Sequence, residues 1–139
     1  MKKKLIIVLI PLCAIISTTV IVMLFNPLLK TERQIRNDII RITPIGTSMD
    51  EVLEIANSNR KWKIRLINYE QGYVNYEIYI PNKDPNFPML EYTNPVVGEK
   101  SIRVYLGRSW TFGHSVLASW GFDSNGNLID VYVRKTLAI

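Results

Sequence analysis

The chain begins with a long apolar stretch. Residues 5–29 contain no charged side chain, and a helix of that length is sufficient to cross a hydrocarbon core of about 30 Å. Pro11 and the hydroxyl side chains of residues 17–19 are tolerated in membrane helices. The pattern predicts a single-pass transmembrane helix, with residues 1–29 as a membrane anchor and residues 30–139 as one extracytoplasmic domain.

Two alternatives to an anchor remain, cleavage as a signal peptide and peripheral attachment. A signal peptide has an apolar region of about 7–15 residues that ends in small residues. Here the small residues Ala14, Ser17 and Thr19 are followed by a further apolar run, which favours the anchor. Lys2, Lys3 and Lys4 directly precede the apolar stretch. They favour an N-terminus on the inner side of a bacterial cytoplasmic membrane, as in a signal-anchor protein of the cell envelope.

Two amphipathic helices follow. Within residues 31–42, Ile35, Ile39 and Ile42 recur at helical spacing, and this apolar stripe is expected to pack on the domain's own sheet or, alternatively, to lie on the membrane surface. Ser48 and Glu51 have the spacing of a capping box and predict the start of a second helix. Its expected buried stripe consists of Met49, Val52, Leu53 and Ala56.

Residues 61–80 alternate between apolar and polar side chains in two runs, the period typical of half-buried strands. The apolar rows are Trp62, Ile64 and Leu66, then Val74, Tyr76, Ile78 and Ile80. A turn near Gly72 would place Leu66 opposite Val74 and both rows on one face. We therefore expect these two runs to form a hairpin.

The C-terminal part predicts further strands. Residues 101–106 alternate again, whereas residues 81–98 contain four prolines and predict a long loop. Asn125-Gly126 suits the central positions of a type I′ turn. That turn would pair Phe122 with Ile129, Trp120 with Val131, Ala118 with Val133, Gly121 with Asp130 and Ser119 with Tyr132. The predicted fold class is α+β: an N-terminal transmembrane helix, then two short helices packed on an antiparallel sheet of about five strands.

Charge and cysteine content exclude several classes of function. The formal net charge is +5, but three of the 17 basic residues precede the apolar stretch, which leaves 14 basic and 12 acidic residues in the domain. This near balance argues against nucleic acid as a partner. Cys13 is the only cysteine and His114 the only histidine, so the sequence predicts no internal disulfide, no metal site and no cofactor.

Two segments resemble a known family. Residues 46–52 read Gly-Thr-Ser-Met-Asp-Glu-Val and residues 122–128 read Phe-Asp-Ser-Asn-Gly-Asn-Leu. They resemble the acidic helix start and the terminal strand-turn-strand of the SmpA/OmlA (BamE-like) bacterial envelope domains. The resemblance implies paired helices on a small antiparallel sheet and a noncatalytic accessory role, although the chain lacks that family's lipidation cysteine. Residues 103–135 also look like an uncharacterised bacterial membrane protein family.

The candidate chemistry favours binding over catalysis. A Ser-His-Asp arrangement would need His114, Asp123 and either Ser109 or Ser115, yet adjacent His114 and Ser115 point to opposite faces of a strand. We expect no catalytic residues. A hydrolase that uses His114 remains an alternative.

Two groups of residues are candidates for binding. Arg108, Trp110, Phe112 and His114 lie in a connection between strands, where exposed arginine and tryptophan are frequent interface hot spots; alternatively, the two aromatic side chains close the end of the core. Lys61, Lys63 and Arg65 form a basic row that is either solvated or faces an anionic surface. The sequence predicts a membrane-tethered, noncatalytic binding or accessory protein that contacts an envelope protein or an anionic surface, or alternatively an inhibitor of an extracellular enzyme.

Overall fold

Two helices and a four-stranded antiparallel sheet form the body of the protein. A computed structural model describes residues 11, 13–18, 20, 21, 25–76, 80, 81, 92, 93, 95–109 and 113–137. The helices are α1 (Glu32–Ile42) and α2 (Met49–Ser58). The strands are β1 (Lys63–Asn68), β2 (Tyr73–Val74), β3 (Ile80–Pro81), β4 (Tyr92–Thr93), β5 (Val96–Val97), β6 (Lys100–Arg108), β7 (His114–Phe122) and β8 (Leu128–Leu137). The main sheet has the order β1-β6-β7-β8, while β2 pairs with β5 and β3 with β4. The class is α+β, with four strands in the main sheet instead of about five.

The structure corrects the prediction of a transmembrane anchor. Among the described residues, no helix combines the length and the apolar character needed to cross a membrane. Residues 1–10, 12, 19 and 22–24 lie outside the described residues. The predicted single-pass, signal-anchor placement in the cytoplasmic membrane is therefore wrong.

Local capping signals set the starts of both helices. At α1, the Thr31 hydroxyl accepts a hydrogen bond from the Gln34 amide at 3.2 Å, and the Gln34 side chain accepts one from the Thr31 amide at 3.0 Å. At α2, the Ser48 hydroxyl accepts from the amide of Glu51, which confirms the predicted start. These bonds satisfy amides that have no partner within the helix.

Both helices pack on one face of the sheet. Ile35 and Ile39 of α1 are buried as predicted, but Ile42 is 52% exposed because it lies at the end of the helix. Met49, Val52 and Ala56 of α2 are buried and Leu53 is partly buried. The sheet contributes Ile102, Val104, Leu106, Val116, Ala118, Trp120, Phe122, Leu128, Val131 and Val133 to the same core.

A buried hydrogen-bond relay joins α1 to the centre of the sheet. Trp120 is fully buried, and its Nε1 donates to the hydroxyl of Thr43 at 3.0 Å. That hydroxyl donates in turn to the carbonyl of Ile39 at 3.0 Å. The indole N–H therefore has a partner inside an apolar core, where an unpaired donor would be costly.

The predicted hairpin over residues 61–80 is wrong, because β1 pairs with β6. Ile64 lies opposite Val104 and Ile67 opposite Ile102, with a bulge between Ile64 and Leu66. The bulge moves Leu66, which is 46% exposed, away from the core face. Pairing with β6 is favoured because the apolar row of β6 is fully buried under the helices, so β1 extends the existing core.

β2 instead lies on the face of the sheet opposite the helices, where Tyr73 contacts residues of β7 and β8. We call this the outer face; from β6 to β8 it carries Arg103, Tyr105, Leu117, Ser119, Gly121, Asp130, Tyr132 and Arg134. The buried residues here are Tyr73 and Asn75, with 3% and 7% exposure, and not the predicted Val74 and Tyr76.

Tyr73 is fixed on the outer face by three contacts. Its hydroxyl donates to Asp130 Oδ2 at 2.8 Å, and its ring stacks on that of Tyr132 with 5.9 Å between centroids. The same ring lies so close to Gly121 that a Cβ there would be 2.8 Å from Tyr73 Cε1. Burial, and then the hydrogen bond to Asp130, raise the pKa of Tyr73 above its ordinary value.

The C-terminal hairpin forms with four of the five predicted pairs. Trp120 lies opposite Val131, Ala118 opposite Val133, Gly121 opposite Asp130 and Ser119 opposite Tyr132, but Phe122 lies opposite Leu128 and not Ile129. The difference arises because the turn is one residue longer than predicted. The amide of Gly126 bonds to the carbonyl of Asp123, and the amide of Asp123 bonds to the carbonyl of Asn127. Residues 124–126 thus form a three-residue loop with Gly126 at φ 85°, and a bulge at Ile129 restores the register.

Polar side chains of α1 occupy the outer edge of β8. Arg36 Nε donates to the carbonyl of Val131 at 2.6 Å, and its Nη2 forms an ion pair with Asp130 at 2.6 Å. The Glu32 carboxylate accepts a hydrogen bond from the amide of Lys135. These contacts engage the carbonyl of Val131 and the amide of Lys135, two of the backbone groups that a further strand would need.

The predicted long loop over residues 81–98 is interrupted by short strands. β3 pairs with β4, and β5 pairs with β2 through Tyr73–Val97 and Val74–Val96. Residues 82–91 and 94 of this segment lie outside the described residues. The prolines do not prevent these strands, because a strand of two residues needs few backbone hydrogen bonds.

Candidate binding cleft

A cleft of about 650 Å³ lies between the N-terminal segment and the sheet. Three parts of the chain line it: the residues before α1, the connection from α2 into β1, and the end of β6. The lining residues are Ile21, Phe25, Asn26, Pro27, Leu28, Arg60, Lys61, Lys63, Leu106, Gly107 and Arg108. The volume lies within the range of about 300–1,000 Å³ that is usual for sites of small ligands.

The N-terminal wall of the cleft is held by a single turn of 3-10 helix at Pro27–Leu29. The Asn26 side chain accepts a hydrogen bond from the amide of Leu28 at 3.0 Å, which caps this turn. Leu28 is partly buried and packs against the core. Phe25, in contrast, is 81% exposed beside the cleft, so it offers apolar surface that no described part of the protein covers.

The β1–β6 pairing brings the basic residues to one place. Lys63 lies opposite Tyr105 in an antiparallel pair, so the chain before Lys63 runs beside the end of β6. The connection from α2 turns tightly there: the amides of Lys61 and Trp62 donate to the side chain and carbonyl of Asn59 at 3.1 and 3.0 Å. The cationic side chains of residues 60, 61, 63 and 108 therefore line one cavity.

The cleft is positively charged and also partly apolar. Arg60, Lys61, Lys63 and Arg108 are exposed, and their side chains form no hydrogen bond or ion pair with the described residues. No carboxylate is among the lining residues. Four unpaired cations around one cavity repel one another, and an anion placed between them would relieve that repulsion.

The structure brings together three of the predicted binding residues and separates a fourth. Lys61, Lys63 and Arg108 all line the cleft. Arg65 does not line the cleft. Its guanidinium lies 5.3 Å from the ring centroid of Tyr105, in a cation–π contact.

The residues considered for catalysis are not assembled. His114 begins β7 opposite Leu137, and its main-chain carbonyl accepts bonds from the amide and hydroxyl of Ser109. Asp123 follows the other end of β7, about 30 Å away at the usual strand rise. The Asp123 carboxylate instead accepts from the amide of Asn127 at 2.8 Å, which lowers the pKa of that carboxyl. A Ser-His-Asp triad is therefore absent from these residues, while Trp110 and Phe112 lie outside the described residues.

Sequence reasoning missed part of the cleft. Arg60 is next to the predicted basic row and is recognisable from the run of basic residues at 60, 61, 63 and 65. Phe25 and Leu28 were assigned to the membrane anchor, so no pattern indicated that they would line a cavity with Arg108. Their placement depends on the packing of the N-terminal turn against the core.

Comparison of the chain with protein-family models, curated proteins and solved structures found no match. The resemblance to SmpA/OmlA domains therefore remains a prediction.

Proposed function

We propose that this protein is a noncatalytic binding module whose cleft takes an anionic amphiphile, a small molecule with a negatively charged end and an apolar body. The observation that carries the proposal is the convergence, on a cavity with apolar walls, of four cations that form no ion pair with a described residue. Arg60, Lys61, Lys63 and Arg108 would contact the charged end. Ile21, Phe25, Leu28 and Leu106 would contact the apolar body.

Charge and apolar surface have complementary roles in this proposal. Each exposed ion pair contributes only about 0.2–1 kcal/mol, so the cations alone would select for negative charge without giving high affinity. The apolar contact supplies a further contribution of about 25 cal/mol per Å² of surface removed from water. A ligand with both features would bind more tightly than a simple anion or a neutral hydrocarbon.

The proposal keeps the predicted binding role and omits the membrane tether. The inhibitor alternative depended on the aromatic residues at 110 and 112, which the structure does not describe, so no contact favours it. The hydrolase alternative depended on His114, which is separated from Asp123 by the length of β7. Binding is thus the role that the described geometry supports best.

The test is isothermal titration calorimetry of the full chain with monomeric dodecanoate and with the neutral analogue dodecanol. We expect saturable binding of dodecanoate and weaker binding of dodecanol. The double variant Lys61→Gln/Lys63→Gln should weaken dodecanoate binding by roughly 3- to 10-fold, with little effect on dodecanol. Phe25→Ala should weaken the binding of both.

Arg41→Gln is the matched control, because it removes a cation whose side chain is 80% exposed on α1 and does not line the cleft. Its affinity for dodecanoate should equal that of the wild type. Equal affinity for dodecanoate and dodecanol would contradict the proposal. Binding to vesicles of anionic lipid without binding to monomeric dodecanoate would also contradict it, since a charged surface would then be the partner.

A further inference from the structure

A second, smaller cavity of about 110 Å³ lies on the outer face of the sheet. Arg103, Ser119, Tyr132 and Arg134 line it, as do Val74, Tyr76 and Leu117. This cavity shares no lining residue with the basic cleft. Its volume equals that of about four water molecules in the liquid, which suits a single small polar group.

The strand register brings the polar side chains of this cavity together. Arg103 on β6 lies opposite Ser119 on β7, and Ser119 lies opposite Tyr132 on β8. Arg134 is two residues beyond Tyr132 and therefore on the same face of the sheet. Two guanidinium groups and a hydroxyl thus approach one cavity from three adjacent strands.

The positive charge in this cavity is not neutralised by the described residues. Arg103 is half-buried and forms no ion pair with them. The guanidinium of Arg134 lies 4.7 Å from the ring centroid of Tyr76, which positions its charge without neutralising it. The nearby Asp130 is already engaged by Arg36 and by the hydroxyl of Tyr73.

Ser119 supplies independent evidence for a ligand. The residue is only 6% exposed, and its hydroxyl forms no hydrogen bond with the described residues although it lines the cavity. Buried hydroxyl groups in native proteins nearly always have a partner, since leaving one unpaired costs free energy. A bound group that accepts from Ser119 would remove that cost.

We propose that this cavity is a binding site for a phosphate group. Guanidinium groups bind phosphate oxygens through paired, charge-assisted hydrogen bonds. The two arginines balance the charge of close to −2 that a phosphate monoester carries near neutral pH. Donors that approach from three strands match a tetrahedral group with three oxygens better than a planar carboxylate, which has two.

The test is titration of the full chain with inorganic phosphate at constant ionic strength, with acetate as the planar, singly charged comparison. Phosphate should bind saturably in the millimolar range or below, and acetate at least about tenfold more weakly. Arg103→Gln should reduce phosphate affinity at least about tenfold, because a charge-assisted hydrogen bond is lost. Arg41→Gln, far from the cavity, should leave it unchanged.

Ser119→Ala tests the site without removing a charge. Without phosphate, this variant should melt at or above the wild-type temperature, because it deletes a buried hydroxyl that has no hydrogen-bond partner among the described residues. It should nevertheless bind phosphate several-fold more weakly. A loss of stability without phosphate would show that Ser119 has a structural role and would count against the site.

The two sites can be tested separately. Lys61→Gln/Lys63→Gln should leave phosphate binding unchanged, and Arg103→Gln should leave dodecanoate binding unchanged. Tighter binding of glycerol phosphate than of inorganic phosphate would indicate that the phosphate belongs to a larger molecule, whereas the reverse order would indicate the free anion. Absence of saturable phosphate binding, or the same affinity in Arg103→Gln and Ser119→Ala as in the wild type, would overturn the proposal.

Discussion

Replacing Thr43 with valine would break the relay that joins α1 to Trp120. Valine has nearly the shape of threonine but no hydroxyl, so the indole N–H of Trp120, now bonded at 3.0 Å, would lose its partner. The carbonyl of Ile39 would keep one, because it also accepts from the amide of residue 43 at 2.8 Å. Thr43→Val therefore removes little more than the acceptor of the fully buried indole N–H of Trp120.

Two opposing contributions set the expected change in the free energy of unfolding. An unpaired buried donor costs about 1–3 kcal/mol, and the additional buried methyl of valine recovers up to about 0.8 kcal/mol. Thr43→Val should therefore lower the free energy of unfolding by about 1–2 kcal/mol. For a domain of this size the Tm should fall by roughly 4–8 °C.

Urea unfolding, followed by tryptophan fluorescence and circular dichroism, measures this difference as a shift in the midpoint at constant m value. The decisive comparison repeats Thr43→Val in a Trp120→Phe background, where no indole N–H remains. There the same substitution should cost almost nothing, and the coupling between the two positions gives the energy of the hydrogen bond. The cavity that Trp120→Phe creates is common to both arms and cancels.

Wild-type stability of Thr43→Val would contradict a stabilising hydrogen bond between Trp120 and Thr43. Destabilisation of the Trp120→Phe background by the same amount would contradict it as well. In that case, shape and not the relay would explain the loss.

Three further predictions concern the outer face and the C-terminal turn. Gly121→Ala should lower the free energy of unfolding by about 1–3 kcal/mol in urea titrations, because the new Cβ would lie 2.8 Å from Tyr73 and 2.9 Å from the carbonyl of Val97. The pKa of Tyr73 is raised in the folded state, so the contribution of this residue to the free energy of unfolding is fully present below about pH 10 and is lost as the pH rises. The urea midpoint of Tyr73→Phe should therefore fall less at alkaline pH than that of the wild type. Hydrogen bonds from Asn127 lower the pKa of Asp123. The contribution of this residue to the free energy of unfolding is therefore present above about pH 4 and is lost as the pH falls through the pKa of the folded state. The urea midpoint of Asp123→Asn should depend less on pH in the acid range than that of the wild type.

Each of these variants has an informative contrary result. An unchanged urea midpoint for Gly121→Ala would show that the ring of Tyr73 moves aside without cost. If the urea midpoint of Tyr73→Phe falls at alkaline pH as steeply as that of the wild type, other tyrosines cause the fall. An unchanged acid slope in Asp123→Asn would show that the turn persists with a protonated carboxyl group.

The elements that the sequence predicted correctly depend on residues close together along the chain. Ser48 starts a helix because its hydroxyl bonds to an amide three residues later. Trp120 meets Val131 because a short loop joins adjacent strands of matching apolar alternation. Such contacts require little beyond the local chain, so capping residues and alternation are sufficient to indicate them.

The incorrect predictions involved competition between distant partners or a change of register. β1 appeared suited to pair with the next alternating run, yet it pairs with β6, about 40 residues later. The bulges at Arg65 and Ile129 change which side chains face the core. Alternation alone does not reveal bulges, because the chain gains from them only when a particular partner strand is present.

Local hydrogen bonding and periodicity were sufficient to predict the α+β class, the start of α2 and most of the C-terminal register, and charge marked residues 61, 63 and 108 as binding candidates. The packing of distant segments places these cations in one cleft with Phe25 and Leu28, and Arg103, Ser119 and Arg134 around one cavity. The physical reason is that a binding site is made where separate strands and turns pack together, and that packing is set by burial of the common core around Trp120. The long apolar stretch at the N-terminus shows the same limit: its composition predicted a spanning helix, whereas among the described residues the structure has no such helix and places Leu28 against the core.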